Sequence, residues 1–259
     1  MDTVIKNINL IDGTGRDPVQ DAILEIRAGK ISYAGPASGW SAASSGDSID
    51  LDLDGQYVLP GLIDCHVHLS GSGEADSQFS APTGQMALKI LKNAQRNLAA
   101  GITTVRDLGG WSELEFDVRR AIKRDEFAGP RMCLAGRFIS ITEAGAEYYL
   151  GMYRVADGVD EVRKAVREQV KNGADVIKMG VTGAVLVESG VPGTTHFNAD
   201  EVCALVEEAR KFSKRVAAHA HGIDGIRKAV QAGINTLEHG TYLYQDPLVI
   251  QQMAEQRVF

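Results

Sequence analysis

Residues 58–68, VLPGLIDCHVH, are the stretch around which the rest of the chain is organised. An apolar run punctuated by Pro60 and Gly61 leads into two histidines separated by one residue, a pattern typical of a buried strand bounded by turn residues. Because successive side chains of a strand point to opposite faces, His66 and His68 share a face and lie about 7 Å apart. Two imidazoles on one face can bind one cation, and a pair of hydrogen-bonded core histidines is the alternative.

The composition is that of a protein with a large core. The chain has 259 residues, of which 44% are hydrophobic and 6% aromatic, and it contains 28 glycines. The net charge of −7 argues against a nucleic-acid-binding surface. The sequence shows neither a signal-peptide pattern nor a run of 18 apolar residues, so we expect a cytoplasmic protein without a membrane partner.

Three cysteines, Cys65, Cys133 and Cys203, are spread along the chain without close spacing. Each lies in an apolar strand or helix context. We therefore expect buried free thiols rather than disulfides or metal ligands.

The chain divides into two regions with different patterns. Residues 1–58 consist of short strand patterns separated by turns, which predicts the N-terminal part of a small β-sandwich domain. Over residues 59–259, strand patterns alternate with helix patterns, which predicts a parallel α/β sheet. The predicted helices span residues 85–100, 113–127, 159–172, 198–213, 223–232 and about 247–256.

Six strands can be counted from Gly61, and Val258 and Phe259 begin a seventh. A (β/α)8 barrel needs eight strands, so the pattern predicts an incomplete TIM-like barrel. We expect the sequence to be truncated at its C-terminal end. Two more βα units and a closing β segment would need roughly 130–160 further residues.

Polar side chains recur near the ends of four predicted strands, at His66, His68, Lys178, His219 and His239. In a parallel barrel the active site lies at the carboxyl ends of the strands, so these side chains should face one site. Of the six histidines, only His196 lies away from a strand end. The set as a whole therefore predicts a metal site rather than chance packing.

Lys178 stands inside the otherwise apolar segment VIKM. Burying a charged amine is costly, so burial should lower the pKa of this lysine. A neutral amine can add carbon dioxide to form a carbamate, whose two oxygens can bridge two cations. A lysine paired with a buried carboxylate is the alternative.

Two further residues are candidates for contact with substrate. His221 follows His219 by two residues, so on a continuing strand it would face the same side. We take it as a candidate catalytic and substrate-binding residue, and a histidine in a loop before Gly222 is the alternative. Tyr148, in the segment after the third strand, is a candidate substrate-binding residue.

Five segments of the chain resemble the amidohydrolase superfamily of metal-dependent hydrolases. They are PGLIDCHVH at 60–68, GITTVRD at 101–107, GADVIK at 173–178, AHAHG at 218–222 and LEHG at 237–240. Together they are most similar to the imidazolonepropionase-like, Xaa-Pro dipeptidase/carboxypeptidase and ochratoxinase-like members. The resemblance covers essentially the whole chain.

This resemblance implies a centre of two divalent metal ions, most often zinc. His66 and His68 would hold one ion, His219 and His239 the other, and carboxylated Lys178 would bridge them. A metal-bridged hydroxide would then attack the carbonyl carbon of an amide. The family also uses an aspartate as general acid and base at the end of the eighth strand, which we expect in the missing C-terminal part.

The resemblance implies hydrolysis of a C–N bond in a small molecule, and we expect a dipeptide or an N-acyl amino acid. Members of the subgroup often carry a Gly-Gly-His segment after the third strand, whereas this chain has ITEAGAEYY at 141–149. The alternative is a non-catalytic or inactive truncated scaffold or assembly protein of the same fold. We expect little turnover from the truncated chain, and a homo-oligomer for the full-length form.

Overall fold

The computed structural model describes residues 2–41, 48–71, 81–143, 145–146, 149, 151–183 and 193–259. The chain divides into two compact units, Met1–Gly61 and Leu62–Phe259. None of the helices within the described ranges is both long and apolar enough to cross a membrane.

The first unit is built on one four-stranded sheet, and the β-sandwich stays a prediction. Its strands are β1 (Asp2–Leu10), β2 (Val19–Arg27), β3 (Lys30–Pro36) and β4 (Ser48–Val58), in the order β3-β2-β1-β4. β1 and β4 are parallel, whereas the other two pairs are antiparallel. Alternating apolar side chains form its buried face, with Ile8, Leu10, Ala22 and Leu24 at the centre.

The second unit alternates parallel strands with helices, as predicted. Its strands are β5 (Leu62–Val67), β6 (Ile102–Asp107), β7 (Arg131–Leu134), β8 (Phe138–Ser140), β9 (Tyr153–Val155), β10 (Val176–Gly180), β11 (Arg215–Ala220) and β12 (Thr236–His239). Its helices are α1 (Thr83–Ala99), α2 (Leu114–Lys123), α3 (Val159–Asn172), α4 (Ala199–Lys211), α5 (Ile223–Ala232) and α6 (Pro247–Gln256). Three of the helices have the predicted bounds, and the others differ by a few residues at their ends, where helices fray.

The strands form two parallel sheets, β5-β6-β7 and β12-β11-β10-β8-β9. A hydrogen bond of 2.8 Å from the Asp175 backbone nitrogen to the Leu134 backbone oxygen connects the end of β7 to the start of β10. At the far end, Phe259 lies beside β12. Its backbone oxygen accepts a hydrogen bond from the Leu237 backbone nitrogen at 2.7 Å. A strand that begins at Val258 and pairs with β12 would make this contact.

The two faces of the sheets pack differently. Ile177 and Met179 belong to the main core between the sheets and the helices, together with the apolar sides of those helices. Because side chains alternate along β10, Val176 and Lys178 point to the other face. There Val176 packs in a small cluster with Leu108, Ala135 and Ala217. This cluster lies on the same face as Lys178.

Two features of this unit differ from the sequence prediction. β8 and β9 were not predicted, because three-residue strands are too short to show a periodic pattern. The three cysteines are free, but Cys65 and Cys203 are exposed rather than buried. Cys203 lies at an exposed position of α4. Cys65 lies on β5, and no neighbouring side chain among the described residues buries it.

Candidate metal centre

The strand ends bring the five predicted ligands to one region of the second unit. His66 lies in β5 with His68 directly after it, Lys178 in β10, His219 in β11 and His239 at the end of β12. Parallel pairing places Gly180 opposite His219, and Ala220 opposite His239, so the ends of three neighbouring strands are level. His221 follows β11 directly and is also buried.

The imidazole rings form one contiguous cluster. The ring centroid of His66 lies 5.3 Å from that of His68 and 4.9 Å from that of His239. The His239 centroid lies 4.6 Å from that of His219. The His221 ring is 4.6 Å from His219 and 5.1 Å from His239. His221, an uncertain candidate from the sequence, therefore lies within the cluster.

Most of the rings have one nitrogen held by the surrounding protein. Nδ1 of His66 lies 2.8 Å from Oε2 of Glu238, and Nδ1 of His68 lies 3.1 Å from the Gly109 backbone oxygen. Nδ1 of His221 lies 2.6 Å from Oγ1 of Thr241. The Nε2 atoms of His219 and His221 are buried and have no hydrogen-bond partner among the described residues. A nitrogen held in this way fixes the ring and leaves the other nitrogen to bind a ligand.

The environment favours the neutral form of four of the rings, those of His68, His219, His221 and His239. Burial, together with the charge of Lys178, lowers the pKa of His68 and His239 to about 4 and the pKa of His219 to about 2. Burial likewise lowers the pKa of His221. A neutral imidazole has a lone pair that can bind a metal ion, whereas a protonated one has none.

Lys178 is one of the largest fully buried side chains in the described part of the chain, with 1% of its surface exposed. Its Nζ atom has no hydrogen-bond partner among the described residues, and it lies 5.7 Å from the centroid of the Phe138 ring. Burial lowers the pKa of Lys178 to about 7, although the charge of Glu238 acts in the opposite direction. A large fraction of this amine is therefore neutral at physiological pH.

A polar network lies against the histidine cluster, and sequence reasoning assigned no role to its members. Glu238 is buried, and its Oε1 atom accepts hydrogen bonds from Arg106 at 2.9 Å and from Thr236 at 2.7 Å. Arg106 also donates to the Cys65 backbone oxygen at 2.6 Å. The sequence signal for Arg106 was weak, because its strand, ITTVRD, also contains two threonines and an aspartate.

Electrostatics keep Glu238 ionised. Burial alone would raise its pKa, but the hydrogen bond with His66 and the charge of Lys178 outweigh burial and lower the pKa of Glu238 to about 2. A carboxylate in this state only accepts hydrogen bonds, so Nδ1 of His66 carries the hydrogen between them.

The residues fit the chemistry of a divalent metal site. The Nε2 atoms of His219 and His221 are buried without a hydrogen-bond partner in the described residues, so each ring has a lone pair free to bind a metal ion. Within those residues, no group of three or more His, Cys, Asp or Glu side chains has an arrangement that could hold a metal ion as it stands. The cluster thus supplies candidate metal ligands rather than a finished coordination sphere. Lys178 would become one of these ligands only after its amine is converted to a carbamate.

Two further residues, Tyr148 and His196, were singled out in the sequence. Tyr148 lies outside the described residues, so its predicted role stays a prediction. His196 is half-buried, and its backbone nitrogen donates to the Val181 backbone oxygen at 2.8 Å. Its ring is absent from the contacts that join the other five histidines in the described part of the chain.

Known proteins share both the sequence and the fold. The chain is 30% identical to ochratoxinase from Aspergillus niger over an alignment of 272 positions, gaps included. The alignment covers 93% of this chain and 54% of the relative. It is 37% identical over 110 residues to imidazolonepropionase from Stenotrophomonas maltophilia, which covers 41% of this chain and 25% of the relative. The chain spans about half the length of the ochratoxinase.

Solved structures match the whole chain. A Xaa-Pro dipeptidase with bound methionine in its active site superimposes with a TM-score of 0.87 at 32% identity, covering 100% of this chain and 66% of that one. The crystal structure of A. niger ochratoxinase gives a TM-score of 0.84 at 29% identity, covering 99% and 64%. These matches confirm the predicted α/β barrel class.

The sequence resemblance is confirmed at the level of the family. The model of the amidohydrolase family matches residues 57–254, a range that contains all five predicted ligands. This chain belongs to the amidohydrolase family.

Proposed function

We propose that this chain carries the metal centre of a hydrolase that cleaves a C–N bond, amide or peptide-like, in a dipeptide or an N-acyl amino acid. The observation that carries the proposal is the contiguous cluster of imidazole rings, with His219 and His221 buried, beside the buried amine of Lys178 at the ends of parallel strands. In parallel barrels this edge carries the active site.

In this proposal the ligand atoms fall into two groups, as the resemblance to the family implies. His66 and His68 would hold one divalent cation, and His219 and His239 would hold the other, with zinc the expected metal. Lys178, as its carbamate, would offer one oxygen to each. Such a pair of cations would supply the acidity that activates water and polarises a carbonyl oxygen.

The chain's own residues would prepare this site. Burial of His68 and His219 keeps their rings neutral, so they need not lose a proton before they bind a cation. Burial of Lys178 keeps a fraction of its amine neutral, which is the form that reacts with carbon dioxide. His221, whose Nε2 has no partner among the described residues, is placed to hydrogen-bond a substrate.

The substrate class is supported by the matched proteins. One of them is a Xaa-Pro dipeptidase with methionine bound in its active site, and another is an ochratoxinase. Because the chain spans only part of their length, the activity of the whole protein is part of this proposal. The cytoplasmic location and the homo-oligomeric full-length form stay predictions.

The first experiment measures the metal content of protein purified without chelator. We expect about two zinc-like ions per chain, and a marked loss in the His66→Ala variant. His196→Ala, which removes a histidine outside the cluster, is the matched control and should keep its metal. A folded protein without metal would contradict the proposal. A single ion per chain would mean that Lys178 bridges no pair of ions and is an ordinary lysine.

A screen of dipeptides and N-acyl amino acids with added zinc tests the reaction. We expect slow turnover of at least one of these two substrate classes and no turnover after chelation. A protein that binds its metal ions but hydrolyses none of these compounds would favour the non-catalytic scaffold.

Replacing Lys178 tests its bridging role. Lys178→Ala should lower metal occupancy, and a short-chain carboxylic acid should restore part of it by taking the place of the carbamate. Lys123→Ala, which removes an exposed lysine on α2, is the control. If Lys178→Ala retains both metal ions and normal turnover, the carbamate assignment is wrong.

A further inference from the structure

The polar network of Arg106, Thr236 and Glu238 lies on the same side of the sheets as the histidine cluster, and the proposed hydrolysis leaves it without a task. Glu238 is 6% exposed, so its carboxylate has given up nearly all contact with water. Burying a charge in this way is costly and needs specific partners. The identity of those partners indicates what the carboxylate does.

The two oxygens of Glu238 have different partners. Oε1 accepts from the Arg106 guanidinium at 2.9 Å and from the Thr236 hydroxyl at 2.7 Å. Oε2 lies 2.8 Å from Nδ1 of His66. Since Oε1 already receives two donors, the carboxylate is held in one orientation with Oε2 directed at His66.

Arg106 holds this arrangement from three sides. Its Nε donates to the Cys65 backbone oxygen in β5 at 2.6 Å, its Nη2 to Glu238 in β12, and its Nη1 to Thr236 at 3.2 Å. Arg106 itself belongs to β6. A planar guanidinium with fixed donors therefore links β5, β6 and β12, and it sets the position of Glu238 relative to His66.

We propose that Glu238 is a positioning residue for His66, which it holds in the tautomer with hydrogen on Nδ1 so that Nε2 can bind a cation. The inference rests on the proposed function, because it gives His66 a metal to bind. A carboxylate that accepts from the far nitrogen of a metal-binding histidine fixes the ring and makes it a stronger donor. His68 is held differently, through the backbone oxygen of Gly109.

Glu238→Gln separates this role from a simple ion pair. Arg106 and Thr236 both donate to the position of Oε1, so the glutamine would place its oxygen there. Its amide nitrogen would then point toward His66. An amide nitrogen donates, so it would favour the tautomer of His66 with hydrogen on Nε2, which cannot bind a cation through Nε2. The shape of the side chain is almost unchanged.

The test has two readouts that do not depend on turnover. In the metal-free protein, ¹⁵N NMR should show hydrogen on Nδ1 of His66 in the wild type and on Nε2 in Glu238→Gln. Zinc titration against a chelator should show affinity lowered by about 10–100-fold at one of the two sites in the variant. The same titration of Glu238→Asp, which keeps the carboxylate, should show a smaller loss.

Glu208→Gln is the matched control, because Glu208 is a buried carboxylate that pairs with Arg163 and Arg167 away from the cluster. It should leave zinc affinity and the His66 tautomer unchanged. Wild-type His66 with hydrogen on Nε2, or Glu238→Gln with unchanged zinc affinity, would overturn the inference. A wild type that binds no zinc but has hydrogen on Nδ1 would instead count against the proposed function alone.

Discussion

His221 is the residue whose position within the cluster was least certain from sequence. Its backbone nitrogen donates to Oγ1 of Thr182 at 2.9 Å, and Nδ1 of its ring lies 2.6 Å from Oγ1 of Thr241. Both contacts come from other segments of the chain. They keep the ring in the cluster after the strand has ended.

His221→Ala should impair turnover without removing metal. We expect kcat to fall or KM to rise, with a loss of up to the about 10²–10⁴-fold typical of acid–base groups. Steady-state kinetics and metal analysis on the same preparation check this expectation. Thr241→Val keeps the imidazole and should have the smaller effect, whereas loss of a metal ion in His221→Ala would show that His221 is a ligand.

Lys178 gives the site a dependence on pH. Its pKa is lowered to about 7, mainly by burial, so the neutral amine is the minor form below that pH and the major form above it. We therefore expect the carbamate to form more readily as the pH rises through about 7. ¹³C NMR of metal-free protein in labelled bicarbonate should show a carbamate signal that grows with pH and is missing in Lys178→Ala. A signal of constant size across this pH range would contradict the assignment.

At the level of the elements, β8 and β10 approach closely because Gly180 has no side chain. A Cβ atom at this position would lie 2.3 Å from Cε1 of Phe138. The Phe138 ring stacks on Tyr153 with centroids 4.8 Å apart and faces Lys178. The glycine thus allows an aromatic ring of β8 to cover the amine of β10.

Gly180→Ala should displace the Phe138 ring and lower stability. Overpacking of this kind costs about 1–3 kcal/mol, which corresponds to a Tm lower by several degrees in a chain of this size. Gly84→Ala is the control, because Gly84 lies exposed in the first turn of α1 with open space around it. Calorimetry should show Gly84→Ala slightly stabilised. An unchanged Tm in Gly180→Ala would mean that the ring can move without cost.

For the molecule as a whole, two buried carboxyl groups link stability to pH. Asp107 and Glu115 are each 1% exposed. Burial raises the pKa of both groups, and the charge of Asp107 raises that of Glu115 further. Backbone hydrogen bonds from Leu69 and Gly109 to Asp107 oppose the shift without cancelling it.

The sign of the pH effect follows from these raised values. Above about pH 4 the unfolded chain loses these protons while the folded chain keeps them, so stability should fall as the pH rises toward the folded-state pKa values. Glu115→Gln cannot ionise, and its stability should therefore fall less over this range. Its amide oxygen can still accept from the Trp111 backbone nitrogen, as Glu115 does at 2.7 Å. Urea unfolding at several pH values checks the prediction, and parallel profiles for the two proteins would contradict it.

The local sequence was enough to predict the alternation of strands and helices, the family and the side chains that meet at the strand ends. Each of these rests on a short-range signal. Hydrophobic periodicity places the elements, and the spacing of His66 and His68 puts both on one face of a strand. A lysine inside an apolar strand is conspicuous without any knowledge of its neighbours.

Only the tertiary structure brings Glu238 to His66. Alternation along β12 would put Glu238 and His239 on opposite faces, yet both approach His66. The chain turns at His239, which has a φ of 73° and ends the regular strand. The contact between His66 and Glu238 joins residues 172 positions apart. Periodicity describes neighbours along the chain, whereas such a contact depends on strand order and register, which only the packed sheets determine.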